Sequence, residues 1–194
     1  MEIQRPEPHS KLPEDAKLVH KGTIFDVYQW QQKLYDGKVA TFERLKRPDT
    51  VCVIPVLPDG RILLINQQQP STEPFVSEIA GRMEEGEDPL EAMKRELLEE
   101  TGYQADTWSL WDVRQPVHKI DWAVYVFIAK GLKKVAEPNL DGGEKIELLP
   151  VTFDDFLEKA VESNILAGPP FVEICMARGE SAKKEALRKL FSIE

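Results

Sequence analysis

The sequence is poor in the residues that build cross-linked or histidine-based sites. Its 194 residues contain two cysteines, Cys52 and Cys175, far apart and without CxxC or Cys/His spacing. That excludes a disulfide framework and a structural zinc site, and fits a reducing interior. The three histidines, His9, His20 and His118, are scattered, which argues against a His-built metal centre. No apolar run approaches the ~18 residues needed to span a bilayer. The first eight residues lack the apolar core of a signal peptide, so the expectation is a soluble cytoplasmic chain with no membrane partner. An excess of positive charge is missing too: Lys+Arg 25 against Asp+Glu 34 gives a net charge of −9. Such a field repels nucleic acid and leaves carboxylates available as ligands.

What is present is enough apolar material, 42% of residues, for one domain with a sizeable core. Residues 1–16 are polar and proline-rich and read as a loosely tethered, flexible arm. Residues 17–48 read as an N-terminal segment built on a β-hairpin, in which Thr23 to Tyr35 is rich in β-formers and Tyr35-Asp36-Gly37-Lys38 turns into Val39 to Leu45. A second hairpin joins Val51–Leu57 to Arg61–Ile65 through Pro58-Asp59-Gly60. Its apolar runs are nearly continuous, the pattern of strands covered on both faces. Trp122 to Lys130 reads as a further buried strand. Thr152–Ser163 and Ser181–Phe191 have helical periodicity, with Gly168-Pro169-Pro170 breaking the chain between them. The core is thus expected over 49–165, with a C-terminal helical extension over 166–194. Strands, helix, strand and helices in that order assemble naturally as an α/β sandwich. The basic residues of the last helix read as a solvated face.

The chemistry is concentrated in one helix, expected from Pro89 to Thr101 with Asp88 as N-cap and Gly102 as the stop. At about 100° per residue, Leu90, Met93 and Leu97 make an apolar stripe, and Glu96, Glu99 and Glu100 occupy a neighbouring arc about 100° wide. Three carboxylates at such spacing repel one another. A divalent cation reverses that penalty, and Mg²⁺ favours oxygen ligands shared between protein carboxylates and substrate phosphates. Arg95 lies close to Glu99 on the wheel and is placed to hold a ligand carboxylate. Gly81 and Gly86 bracket the loop that enters the helix.

The whole run from Gly81 to Tyr103 has the spacing G-x5-E-x7-R-E-U-x-E-E-x-G-U, with U a bulky aliphatic residue. It resembles the signature box of the Nudix hydrolases at eight of nine specified positions: Gly81, Glu87, Arg95, Glu96, Leu97, Glu99, Glu100 and Gly102 match, and Tyr103 departs. The resemblance implies an α/β/α sandwich with a mixed sheet, and hydrolysis of a nucleoside diphosphate linked to another group. It further implies Mg²⁺, with Mn²⁺ as a substitute, held by Glu96 and Glu100. Glu99 is then a ligand or base, the Ala80 carbonyl a further ligand, Arg95 orients the glutamates, and Glu87 supports the loop–helix junction.

Within the family, the chain is most similar to the branch acting on ADP-ribose and nucleotide sugars. That likeness implies a later acid from a loop, for which Glu144 in Asp141-Gly142-Gly143-Glu144 is the best match and Glu147 the fallback. Glu78 resembles an E-x-x-G lead-in that touches substrate or metal. The N-terminal hairpin implies a homodimer and aromatics that stack on the base. Tyr28 and Trp30 share one strand face and fit that role, although strand aromatics also serve as core. Arg44 is a candidate phosphate contact. Two departures bear on the substrate: Gln67-Gln68-Gln69-Pro70 lacks the arginine usual in that branch, and Pro116-Val117 lacks the glycine of its Pro-Gly pair. The expected partner is a small-molecule nucleotide. Alternatives with the same chemistry are dinucleoside polyphosphates, NADH, coenzyme A and nucleoside triphosphates, and a catalytically inactive nucleotide-binding module is a third reading.

Overall fold

A computed structural model of the chain describes residues 3–8, 11–140, 142–163, 165 and 169–193. Met1, Glu2, His9 and Ser10 of the arm, Asp141 of the acidic loop and Gly168 of the expected break lie outside the described residues. In chain order the elements are β1 (Lys17–Lys21), β2 (Asp26–Lys33), β3 (Val39–Lys46), β4 (Thr50–Pro55), β5 (Ile62–Gln68), β6 (Phe75–Ser77) and β7 (Ile79–Arg82). Helix α1 (Pro89–Thr101) follows, then β8 (Tyr103–Arg114), β9 (Ile120–Asp121), β10 (Val124–Lys134), β11 (Lys145–Val151), α2 (Phe153–Glu162), α3 (Pro169–Gly179) and α4 (Ser181–Phe191).

The central sheet has the order β7-β4-β10-β8. It is mixed, because β10 runs parallel to β4 but antiparallel to β8, and β4 is antiparallel to β7. A second sheet, β11-β5-β6, is antiparallel throughout. The near-continuous apolar runs are explained by alternation across two cores. Val51, Val53, Tyr125 and Phe127 face a core that includes Met93 and Leu97 of α1. Cys52, Ile54, Val126 and Ile128 face the opposite core, built with Phe153, Phe156, Ile174, Leu187 and Phe191 of α2–α4. Each strand residue therefore buries its side chain, at roughly 1.5–3 kcal/mol for a large aliphatic or aromatic one. The result is the α/β/α sandwich with a mixed sheet expected from the sequence. Among the described residues no helix is long and apolar enough to cross a membrane.

The hairpin at the N-terminus is larger than its sequence signal. Strands β2 and β3 pair with Tyr28 opposite Arg44 and Trp30 opposite Phe42, β1 adds on one side, and β9 pairs with β3 on the other. Residues 3–8 do not hang free: Arg5 Nε donates to Asp49 at 2.7 Å, its Nη2 donates to Asp121 at 2.8 Å, and Gln115 Nε2 donates to the Pro6 carbonyl at 3.1 Å. Helix α2 ends at Glu162, before the expected break at Gly168-Pro169-Pro170, and the two prolines of that break open a further helix, α3. Proline is tolerated in a first helical turn, where its missing N–H has no intrahelical partner to lose.

Candidate active site

The site is built on α1 and the strand–loop that enters it. Asp88 caps the helix, accepting from Leu90 N at 2.9 Å and Glu91 N at 3.2 Å, and Pro89 occupies the first position. Gly102 ends it at φ 72°, and a Cβ there would collide with the Ala136 carbonyl, so the stop is fixed by both conformation and space. Met93 and Leu97 are fully buried beneath the helix, which turns the acidic arc toward the end of β7.

Arg95 organises that arc. Its Nε and Nη2 each donate at 3.0 Å to the two carboxylate oxygens of Glu87, a fork-to-fork pair. Nη1 donates to Glu96 Oε1 at 2.8 Å and to Glu99 Oε2 at 3.2 Å, and Nη2 also reaches the Arg82 carbonyl at 3.1 Å. The hydrogen bond to Arg95 holds Glu87 below the usual carboxylate range. Glu87 in turn accepts the Glu84 N–H at 2.9 Å and tightens the loop. Gly81 is required by contact, because a Cβ at this position would overlap the Glu96 carboxyl group.

Glu100 is the anomaly. It is 8% exposed, and its Oε2 has no hydrogen-bond partner among the described residues. Burial, followed by the charges of Glu96, Glu144, Glu99 and Glu78, pushes its pKa up to about 9. Glu96 is raised as well, chiefly by burial. With Arg95 drawing on Glu96 and Glu99, no three His, Cys, Asp or Glu side chains among the described residues are gathered tightly enough to hold a metal as they stand. The donor set nevertheless fits a hard cation: the Glu100 oxygen is buried and orphaned, and the charges of Glu96, Glu144 and Glu99 act on it.

These groups open on a cleft of about 820 Å³ whose lining includes Ala80, Arg95, Glu96, Glu99, Glu100 and Glu144. The loop carrying Glu144 is tied to the helix by Asn139 N–H donating to the Glu99 carbonyl at 2.8 Å. Glu147, the fallback acid, lies exposed on β11 and does not line the cleft.

The NUDIX domain family matches residues 46–166. The chain belongs to the Nudix hydrolase family. It is similar to an ADP-ribose pyrophosphatase of Bacillus subtilis (strain 168), at 35% identity over 148 residues that span 75% of this chain and 80% of that one. A protein of Bacillus methanolicus named methanol dehydrogenase activator is 33% identical over 77% of this chain and 83% of its own length. An ADP-ribose pyrophosphatase of Mycobacterium tuberculosis (strain ATCC 25618 / H37Rv) is 30% identical over 64% of this chain and 61% of its own length. A solved ADP compounds hydrolase superposes with a TM-score of 0.58 at 20% identity, over 81% of this chain and 85% of that one, a likeness of fold.

The remaining candidates fall outside the carboxylate end of this Nudix cleft. Tyr28 lines an adjoining chamber of about 860 Å³ that shares Ile24, Arg47, Pro48, Met83 and Glu84 with the first. Trp30 lines neither chamber; it packs on Phe42 at 6.0 Å and donates to Gln32. Arg44 is not at the cleft. It is 5% exposed and donates to the His118 carbonyl at 2.9 Å, which closes the N-terminal sheet onto the loop before β9. Glu78 does not line the cleft either. Its charge is, after burial, the next cause that pushes up the buried Cys52 thiol, and it adds to the field at Glu100. Arg47 and Arg82 do line the cleft and were not singled out by sequence reasoning. Neither belongs to a recognisable spacing, and only the fold brings them to the carboxylates.

Proposed function

We propose that this chain hydrolyses the diphosphate bond of a nucleoside diphosphate sugar of the ADP-ribose kind, in a divalent-metal-dependent reaction. Water adds across P–O–P, giving a nucleoside monophosphate and a sugar phosphate, with two protons released when both products leave as dianions. The observation that carries this reading is the buried, unpartnered Glu100 oxygen set among the charges of Glu96, Glu144 and Glu99. Such a carboxylate is costly unless a cation meets it. Glu96, Glu99, Glu100, Glu144 and the Ala80 carbonyl would hold Mg²⁺, or Mn²⁺ in its place. A divalent ion there polarises a phosphoryl oxygen and lowers the pKa of the attacking water. Arg95 keeps Glu96 and Glu99 in place. Glu144, on a separate loop, would serve as a further ligand or as the base that takes a proton. The two ADP-ribose pyrophosphatases among the relatives support the substrate class.

A homodimer formed through the N-terminal sheet is part of the same proposal. Leu18, Val19, Val39 and Phe42 are at least 36% exposed on β1 and β3, apolar surface that a second copy would cover. The cytoplasm suits a protein whose thiols are free, as Cys52 and Cys175 are. The missing arginine at Gln67-Gln68-Gln69 favours, as a second reading, another nucleoside diphosphate derivative. Incubation with Mg²⁺ or Mn²⁺ and a panel of ADP-ribose, nucleotide sugars, diadenosine polyphosphates, NADH, coenzyme A and nucleoside triphosphates decides between them. Chromatography is expected to show AMP and ribose phosphate from ADP-ribose. Preference for another compound moves the assignment to the second reading, and no turnover with either ion overturns both.

A further inference from the structure

The arginines of this chain divide by partner. Arg5, Arg61, Arg95, Arg114, Arg178 and Arg188 each bridge to a carboxylate. Arg44 holds a backbone carbonyl inside the fold. Arg47 and Arg82 remain, and among the described residues neither makes an ion pair. Both line the acidic cleft. In a chain with nine more acidic than basic residues, two guanidiniums that bridge no carboxylate in a cleft full of them is an unusual placement, the charge of Asp49, which Arg5 already bridges, acting on Arg47 only from beyond ion-pair distance.

Arg47 is held by contacts that orient it without neutralising it. Its guanidinium carbon lies 4.7 Å from the Trp122 ring centroid and 5.6 Å from that of Phe25. Its Nε donates to the Pro48 carbonyl at 3.3 Å, and Nη2 to Thr50 Oγ1 at 3.5 Å. Aromatic faces attract the cation and fix its plane while leaving its charge in place. Arg82 is exposed at the end of β7 and near enough that, after burial, its charge is the next cause lowering the Arg47 pKa. Two like charges brought together on one wall are stabilised by an anion between them. Arg47 also lines the adjoining chamber that Tyr28 lines, so it stands at the junction between the carboxylate end and the aromatic end.

We propose that Arg47 and Arg82 form the diphosphate-binding clamp of the cleft, gripping the bridging phosphates at the junction of its two chambers while the acids of α1 hold the catalytic cation. This rests on the hydrolase reading above and adds to it the residues that select a doubly charged linkage over a neutral one. The forked guanidinium suits such a ligand, since its parallel N–H groups match phosphate oxygens.

Inorganic pyrophosphate with Mg²⁺ is the probe, titrated calorimetrically into the wild-type chain, R82Q, R47Q and the double variant. Each single variant is expected to bind about tenfold more weakly, the loss of one charge-assisted contact, and with a shallower salt dependence. R82Q should melt like the wild type, because Arg82 is exposed and no side-chain bond of it is lost, so it carries the test even if R47Q folds poorly. Equal affinity in wild type and R82Q, or no pyrophosphate binding by the wild type, overturns the clamp. The same proteins assayed with ADP-ribose separate the two levels. Pyrophosphate affinity lost in R82Q without any wild-type turnover keeps the clamp and removes the substrate reading. Turnover with an unchanged KM in R82Q does the reverse.

Discussion

The two walls of the cleft are built on different principles. On the α1 wall one arginine fixes three carboxylates: Arg95 spends its donors on Glu87, Glu96, Glu99 and a backbone carbonyl, Gly81 leaves space for the Glu96 carboxyl group, and Glu100 is left with an unpartnered oxygen. On the N-terminal wall the side chains are half-buried, several apolar ones face outward, and Tyr28 looks into an open chamber. The first wall is suited to fixed chemistry, in which misplacement by about 1 Å is costly. The second is suited to recognition, in which a few contacts select a ligand and the rest of the surface is left for a partner.

The sharpest way to break the first wall is Glu100→Gln. It removes a charged ligand while keeping volume, and kcat/KM for ADP-ribose should fall by about 10³-fold, the scale of several kcal/mol of transition-state charge stabilisation. The same substitution should make the cation-free protein more stable at high pH. The Glu100 carboxyl, pushed up to about 9, keeps its proton in the fold at pH values where the unfolded chain, with an ordinary carboxyl near about 4.3, has lost it. The fold therefore binds more protons over that window, and its stability falls as pH rises from about 5 to about 9. Melting curves without metal should show that slope in the wild type and much less of it in Glu100→Gln. Unchanged kcat/KM at saturating Mg²⁺ removes Glu100 from the cation site, and a flat wild-type profile shows that burial does not hold its proton.

Arg95→Lys comes next. Lysine keeps the charge and loses the fork, so Glu87, Glu96 and Glu99 can no longer be held together. Activity should fall by about 10–100-fold, in the range for partners that orient metal ligands, with more Mg²⁺ needed for half-maximal rate. A metal titration that superposes on the wild type's would show that Arg95 positions nothing.

This difference between the walls also explains what the sequence discloses. Arg95 reaches Glu99 over four positions within α1, a spacing that helical periodicity encodes, whereas Glu87 lies in the loop before the helix and is legible only through the box spacing. Arg47 meets Trp122 and faces Arg82 across much longer stretches of chain, and no local spacing announces either contact. Arg44 reads as a candidate phosphate contact from the sequence, but its burial against the His118 carbonyl is a contact across 74 residues that no local spacing encodes. Helix α3 escaped because two prolines read as a break, when their place in the first turn is compatible with a helix.

The recognition wall is tested by Tyr28→Ala beside Trp30→Ala. Tyr28 lines the chamber in a single chain, so its loss should raise KM about five- to tenfold, the worth of one aromatic contact, with little change in kcat. Trp30 rests on Phe42 outside both chambers. Within one chain its removal should leave KM alone; in the proposed dimer it should loosen the pairing and raise KM, with light scattering reporting the mass. Kinetics indifferent to Tyr28 would strip the aromatic chamber of its role.

The smallest expected effect joins the two walls. Arg5 bridges Asp49 and Asp121, and Asp49 also accepts the Ala123 N–H at 2.8 Å while its carbonyl accepts the Met83 N–H at 2.9 Å. Asp49 is therefore the point at which the N-terminal strap, the start of β10 and the box loop meet, two residues from Arg47. The strap's own energetic weight is modest, because Arg5 is more than a third exposed and solvent screens its pairs; Arg5→Ala should cost about 1 kcal/mol. Its kinetic signature is more informative than its stability cost. If the strap steadies the Arg47 side of the cleft, KM for ADP-ribose rises modestly while kcat and the Mg²⁺ requirement, both set on the α1 wall, stay put. A change in kcat instead would mean that the two walls are mechanically coupled through Asp49 and that recognition and chemistry are not independent in this fold.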